Sequence, residues 1–466
     1  MLWIALVLLG LSQYLLLVIL SGARGDEIYS WGDFASAGGL LRHLLRSEYG
    51  TFDLISGFDR TISSALTSLL LYLLTLSRES SHLAIPSLLL SCWSAARLGP
   101  TGDCQLVAIT RRLLLLWGLY VGFFHWRSNL PLHHPLYRGV LKRFHLQPNF
   151  IVFLLIGRLV AMTFRGVRRI FGNEEDREKK KQTTSRLIRV AVMVTITSLQ
   201  LMSNWKDRDQ SDNYAIKTFA MSLLHDLPPS SVLLTKGDLT VYPIRYLQAC
   251  LLLRPDLVIM DQEMMGYDWF IRRARKRFPR VSFPPGQRLR PVGPKGFCEE
   301  EGRGKVCLKY GGVFNLREFF DENMSRRRRR REIFIVDPKD NDNSFQGRYQ
   351  LVPHGYVQRV VAADEKWKPS GEEWAEDMRT KLLAVDVIAA SDRFHDPESW
   401  EALVREEASE GFHRRALAML QQAGGGGGEE TTLLRLAMEA FEELLLGREG
   451  RRPIMRKRTW QACKNS

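Results

Sequence analysis

The sequence is poor in cysteine, and none of its cysteines stands in a metal-binding arrangement. Cys92, Cys104, Cys250, Cys298, Cys307 and Cys463 are scattered over 466 residues. There is no CxxC pair and no histidine cluster at zinc spacing, so no metal site is expected. Cys298 and Cys307 could form a disulfide on an oxidising side of a membrane; two free buried thiols are the equal alternative. No GxGxxG and no Walker lysine–serine/threonine motif occurs, which argues against a nucleotide site, and no cofactor is expected. The formal charge is +15. Its main local sources are the arginine run at 326–331 and the basic cluster at 165–189. Neither is interleaved with aromatics, so no nucleic-acid partner is expected.

The N-terminal part is short of charge. The mean hydropathy of −0.16 averages two unlike regions. Residues 1–204 carry long apolar runs, while residues 205–466 are rich in charge, proline and glycine. Residues 2–20 contain no charge and nearly span a hydrocarbon core of roughly 30 Å. Ser21, Gly22 and Ala23 resemble a signal-peptide cleavage site, but the start lacks a positive charge, which favours a retained helix. Four further apolar stretches follow at 83–96, 113–126, 150–164 and 187–203. Each is marginal in length and needs flanking anchors. The reading is an α-helical membrane bundle of about five spans.

Residues 61–76 are ambiguous. Ile62, Leu66, Leu69, Leu70, Leu73 and Leu76 fall near one helical face, which suits an amphipathic helix lying at the interface. If this stretch spans instead, the orientations inverts beyond it. The loop at 165–189 is the most basic short loop and is assigned to the cytosol. Loops 21–82 and 127–148, and everything after Trp205, then face the lumen. The expected domains are a transmembrane region at 1–204, a lumenal α/β domain at 205–370 and a helical tail at 371–466 with a low-complexity glycine run. In the α/β domain, 232–234, 257–260 and 333–336 read as strands and 244–252 as a helix. In the tail, 373–387, 399–421 and 432–446 read as helices of a tetratricopeptide-like kind, too few to establish a repeat. The sequon Asn323-Met324-Ser325 is expected on a surface loop, where a lumenal domain would be glycosylated.

Several motifs occur together. Trp31-Gly32-Asp33 is followed by a short helix that carries His43 and Arg46 and ends in Glu48-Tyr49-Gly50-Thr51-Phe52. Trp126-Arg127-Ser128-Asn129-Leu130, Arg143-Phe144 and Gln147 occupy the second lumenal loop. Lys236-Gly237-Asp238-Leu239, Arg245-Tyr246, Leu253-Arg254-Pro255-Asp256 and Asp261-Gln262-Glu263-Met264-Met265 mark the soluble part, and Asp396-Pro397-Glu398-Ser399-Trp400 its tail. In this order they resemble the C-terminal two-thirds of the transmembrane protein 260 family, multispanning protein O-mannosyltransferases of the endoplasmic reticulum. The match leaves out the family's N-terminal helices and the acidic first lumenal loop that carries its catalytic acid. Little or no transfer is therefore expected of the chain alone, and a second chain supplying those helices is one partner the resemblance allows.

The resemblance implies a GT-C-like transferase that moves mannose from dolichyl phosphate mannose to Ser or Thr of immunoglobulin-like receptor domains. The substrate would be a lipid-linked sugar and the partners membrane lipid and lumenal acceptor proteins. The alternative is a non-catalytic membrane protein whose lumenal domain is a protein-binding scaffold. Transfer needs a carboxylate for the hydroxyl proton and cations for the departing lipid phosphate. Asp33 is the candidate base, with a helix cap as the competing role. His43, Arg46 and Arg143 are the candidate phosphate-binding cations. Trp31, Gly32, Tyr49, Gln147, Gly237, Asp238, Arg245, Asp261 and Glu263 complete the motif residues.

Overall fold

The structure is a computed structural model. It describes residues 2–24, 32–34, 36–45, 61–97, 104–170, 178–290, 297–301, 304–308, 312–324, 331–339, 342–364 and 396–423, with positions 377 and 438. The chain forms two compact units, one of Met1–His43 with Tyr214–Ser466 and one of Leu44–Asn213. The N-terminal helix thus falls with the C-terminal part of the chain, unlike the expected division near residue 205.

The first unit contains α1 (Leu2–Arg24) and α2 (Ala37–Leu44), then α9 (Ala215–His225), β1 (Val232–Thr235), α10 (Asp238–Ala249), β2 (Val258–Asp261) and α11 (Asp268–Arg277). Short strands β3 (Arg288–Leu289) and β6 (Val313–Phe314) flank the hairpin of β4 (Phe297–Glu301) and β5 (Gly304–Leu308). Next come α12 (Leu316–Met324), β7 (Ile333–Ile335), β8 (Tyr349–His354), β9 (Val357–Ala362) and α13 (Trp400–Ala423). The main sheet has the order β2-β1-β7-β9-β8. Strands β1, β2 and β7 are parallel, while β9 and β8 are added antiparallel.

Parallel strands covered on both faces must be apolar throughout. Leu233, Ile259 and Phe334 pack on one face against Phe219, Ile244 and Val404. Val232, Leu234, Met260, Ile333 and Ile335 pack on the other with Phe270, Phe319 and Phe320. Alternate residues of one strand therefore serve opposite helical layers. The β4–β5 register sets Cys298 opposite Cys307. In the tail, α13 matches the helix expected at 399–421; the other two expected helices lie almost wholly outside the described residues.

The second unit is helical: α3 (Ile62–Glu79), α4 (Ala84–Arg97), α5 (Cys104–Arg127), α6 (Pro135–Lys142), α7 (Leu146–Ile170) and α8 (Glu178–Arg208). Thr61 and Ser64 begin α3 with a reciprocal capping box. Tyr72, Leu76, Ala84, Leu88, Val121, Val152 and Leu155 form the central cluster of the bundle. Among the described residues, three stretches are long and apolar enough to cross a membrane, Ile4–Ser21, Gln105–Arg127 and Pro135–Thr163; Ala84–Ala96 and Val190–Trp205 are shorter apolar helices. All five overlap the expected apolar stretches, but Pro135–Thr163 begins within the expected loop at 127–148.

Candidate functional site

The motif residues of the first unit gather at two places. The first is the carboxyl edge of the parallel strands. The chain leaves β1 on one side toward β2 and later returns to β7 on the other, so the edge between β1 and β7 is a topological switch point, where open α/β sheets bind ligands. Gly237 turns the chain into α10 with φ +80°, a conformation glycine adopts at little cost. Asp238 opens that helix, where the helix dipole favours a carboxylate. Lys236 Nζ donates to the Pro338 carbonyl at 3.2 Å.

Asp261 ends β2. Its side chain is buried, 3.4 Å from Arg245 Nη2, and its Oδ1 accepts from the Glu263 N–H at 2.9 Å. Burial pushes this carboxyl up to about 6, against the opposing pull of Arg245 and the Glu263 amide. Glu263 pairs with Lys339 Nζ at 2.6 Å. The fully buried Gln262 ties the two strand ends together. Its Nε2 donates to the Asp337 carbonyl at 2.7 Å, and its Oε1 accepts from the Lys339 N–H at 3.0 Å. Asp337, just beyond β7, meets Arg414 of α13 at 3.4 Å, and its carboxyl is raised by burial. The edge therefore unites Gly237, Asp238, Arg245, Asp261 and Glu263 with three residues not singled out from the sequence: Asp337, Lys339 and Arg414. A signal for Asp337 was present, because two apolar strands, at 258–261 and 333–335, each run into an aspartate.

The second place is the turn at Gly32-Asp33. Arg273 of α11 donates from Nη1 to the Gly32 carbonyl at 3.1 Å and from Nη2 to Asp33 Oδ1 at 3.1 Å. Its guanidinium also lies over the Trp269 ring, 5.1 Å from the centroid. This paired use of one planar fork fixes both the backbone and the carboxylate of the turn. Asp33 Oδ2 makes no bond among the described residues. Asp33 is not the helix cap weighed above: Ser36 Oγ accepts from the Gly39 N–H at 3.0 Å and caps α2. Gly39 is needed there, since a Cβ would come within 1.7 Å of the Asp33 carbonyl oxygen. His43 sits edge-on to Phe34 with centroids 4.8 Å apart. Trp31, Arg46 and Tyr49 lie outside the described residues, so the shared face of His43 and Arg46 is not described.

In the helical unit, Arg143 lies over Phe144 at 5.6 Å, and Gln147 Oε1 accepts from Tyr120 at 3.4 Å. Behind them is a buried polar group that the sequence reading did not single out. Ser68 Oγ and His125 Nδ1 are 2.6 Å apart, Trp117 Nε1 donates to Tyr72 at 3.0 Å, and the His145 ring lies 4.8 Å from that of Tyr72. Both His145 ring nitrogens are buried without a hydrogen-bond partner among the described residues. No group of three or more His, Cys, Asp or Glu suited to a metal occurs among the described residues.

The sequon requires a correction. Asn323 lies on α12, not on a surface loop, and is 3% exposed. Its Oδ1 accepts from the Ser282 N–H at 2.9 Å; its Nδ2 donates to the Ser282 and Phe319 carbonyls, each at 2.8 Å. A glycan on this nitrogen is incompatible with that packing.

Comparison with known proteins agrees with the arrangement of motifs. Residues 216–282 match the family described as TMEM260-associated domain 2. A Dictyostelium discoideum protein named protein O-mannosyl-transferase tmem260 is 28% identical over 429 residues, covering 89% of this chain and 48% of that protein. The Mus musculus protein O-mannosyl-transferase TMEM260 is 32% identical over 405 residues, covering 85% of this chain and 51% of that protein. The chain spans about half the length of these curated relatives. No solved structure matches it. Along most of its own length, the chain is similar to these two proteins.

Proposed function

We propose that the chain is a membrane-embedded part of a protein O-mannosyltransferase of the endoplasmic reticulum. It carries mannose from dolichyl phosphate mannose to Ser or Thr hydroxyls of immunoglobulin-like receptor domains. The observation that carries this reading is the similarity to two proteins so named, over 85% and 89% of this chain. The chain crosses the membrane five times, with α1, the 83–96 region, α5, α7 and α8, and residues 205–466 lie in the lumen. The Arg273–Asp33 pair supports an even number of crossings between those two residues, since both must lie on one side. The carboxylate of Asp33 is the candidate base; Arg273 orients it. His43, on the helix that follows the turn, is the candidate contact for the lipid phosphate.

A second reading has its own support. The charged groups at the sheet edge are tied largely to one another, Asp261 to Arg245, Glu263 to Lys339 and Asp337 to Arg414. Such an edge suits a scaffold that holds an acceptor protein better than it suits acid–base chemistry. The deciding experiment joins the chain to the part of the Mus musculus relative that it does not cover and measures, in membranes carrying that protein, mannose transfer to a Ser/Thr-bearing receptor domain, beside binding of that domain. Transfer that falls in Asp33→Asn supports the enzyme. Binding with no transfer supports the scaffold.

A further inference from the structure

We infer that α3 and α4 are the two halves of a single membrane crossing, broken at membrane depth by residues 80–83. This rests on the proposal that α5, α7 and α8 cross, and it replaces the interfacial placement of 61–76. Helix α4 has 14 residues; at 1.5 Å per residue it covers only about 21 Å of a core of roughly 30 Å. It cannot complete a crossing alone without strong mismatch.

The contacts along α5 supply the missing length. Near the carboxyl end of α5 His125 meets Ser68, and at its middle Trp117 meets Tyr72, both partners on α3. Nearer its start, Arg111 donates from Nε and Nη2 to the Ala95 carbonyl, at 2.9 and 2.7 Å, at the end of α4. The chain therefore runs down α5 first as α3 and then as α4, in one direction. A hairpin would have returned Ala95 toward His125.

The surface of α3 also fits hydrocarbon rather than an interface. Ile62, Leu66, Leu70 and Leu74 point outward at every fourth position, each more than half exposed, while Ser68 and Tyr72 are buried. An interfacial helix turns its polar face to water; α3 buries Ser68 and Tyr72 and exposes Ser63, Thr67 and Arg78 beside its leucines. On α4, Ser87, Ser91 and Ser94 are buried and Leu89 and Trp93 are exposed. Small residues inside and large apolar ones outside are the pattern of packed membrane helices.

The N–H groups of the break are satisfied internally, as a turn at membrane depth demands of its backbone donors. The N–H groups of Ser80, Ser81, His82 and Leu83 donate to the carbonyls of Leu76, Arg78, Ser77 and Ser80. The Ala84 N–H donates to Ser80 Oγ at 3.1 Å. No backbone N–H from 80 to 84 is left over, although the turn requires positive φ at Ser81 and His82, +50° and +64°. Side chains pin it to two other helices: Asn149 Nδ2 of α7 donates to Glu79 at 3.1 Å, and Gln200 Nε2 of α8 to Ser81 Oγ at 2.6 Å. Parity agrees. Two full crossings by α3 and α4 would put an odd number between Asp33 and Arg273, which are hydrogen-bonded; one broken crossing makes it even.

The test uses the full chain in sealed microsomes. Glycosylation cassettes are inserted singly between residues 56 and 57 and between residues 100 and 101. The expected result is modification of the first and not the second. The reverse pattern still supports one crossing and overturns only the lumenal assignment. The same result at both positions overturns the single crossing. A fluorophore at Ser81→Cys, in a chain whose own cysteines are serine and whose sidedness is unchanged, is then exposed to lipid-borne quenchers. Greater loss of fluorescence with a mid-chain quencher than with a headgroup quencher is expected. Greater loss with the headgroup quencher would return α3 to the interface and overturn the proposal.

Discussion

Apart from its apolar helix α1, whose leucines are exposed, the α/β unit sorts its side chains in the direction opposite to that of the helical unit. Leu233, Leu234 and Phe334 are fully buried in the sheet, and most of its charges lie at the rim, paired. In the helical unit, Leu66, Leu70 and Leu74 face outward while Ser68, Tyr72, His125 and Asn149 are buried. Each unit is ordered against its own solvent. Water drives apolar surface into the first. Hydrocarbon gives no such drive to the second, which relies on close packing and interhelical hydrogen bonds.

The largest expected effect tests the water-driven half of that contrast. Phe334→Ala should cost about 4 kcal/mol, because a fully buried aromatic leaves a cavity. Urea-dependent proteolysis of the solubilised chain would report it, and a loss below about 1 kcal/mol would mean that the sheet is not close-packed. Leu70→Lys tests the other half. On a water-facing helix such a change is worth about ±0.5 kcal/mol, whereas lysine at the centre of a membrane helix costs about 3 kcal/mol. The expected readout is a lower carbonate-resistant fraction; unchanged integration would remove α3 from the bilayer.

Asn323, like Gln262, is an exception that sharpens the comparison, a buried amide satisfied in a water-ordered core. Asn323→Leu strands the Ser282 N–H and carbonyl and should cost about 2–3 kcal/mol, seen as a lower urea midpoint. The same packing predicts that glycosidase leaves the mobility of the wild-type chain unchanged; a glycan on Asn323 would contradict it. A further effect, carried by pH, belongs to Asp261. Its folded carboxyl stands at about 6, above the ordinary 3.8. Its stabilising contribution is therefore full below about pH 4 and is lost as the pH rises through 6. Relative to Asp261→Asn, the wild type should lose thermal stability between pH 4 and 7. Parallel curves for the two proteins would show that burial does not hold the carboxyl high.

Much of this architecture was legible because long runs of one character leave little choice. The five apolar stretches announced themselves in this way, whereas β1, β2 and β7 showed as short apolar strands and α13 as a helical pattern in a mixed sequence. Helix α11 did not. Its sequence, Asp-Trp-Phe-Ile-Arg-Arg-Ala-Arg-Lys-Arg, reads as charged, and only burial of Trp269, Phe270, Ile271 and Ala274 reveals its packed face. The β8–β9 hairpin was hidden because its exposed and buried positions do not alternate cleanly. The site was half legible. Motifs picked out Gly237, Asp261 and Asp33, but the partner of Asp33 lies 240 residues away. No local pattern announces such a pairing. For α3, periodicity found an apolar face but could not say whether it looked at protein or at lipid.

The anchoring of Gly32 and Asp33 by Arg273 also sets a clock. During synthesis the turn emerges 240 residues before its anchor. At about 5–20 residues per second, that interval is roughly 12–50 s. For this time the aspartate stands without its guanidinium, while the helices encoded between them are made. The bond is thus a late event in the life of the nascent chain: it can close only after the whole helical unit has been synthesised.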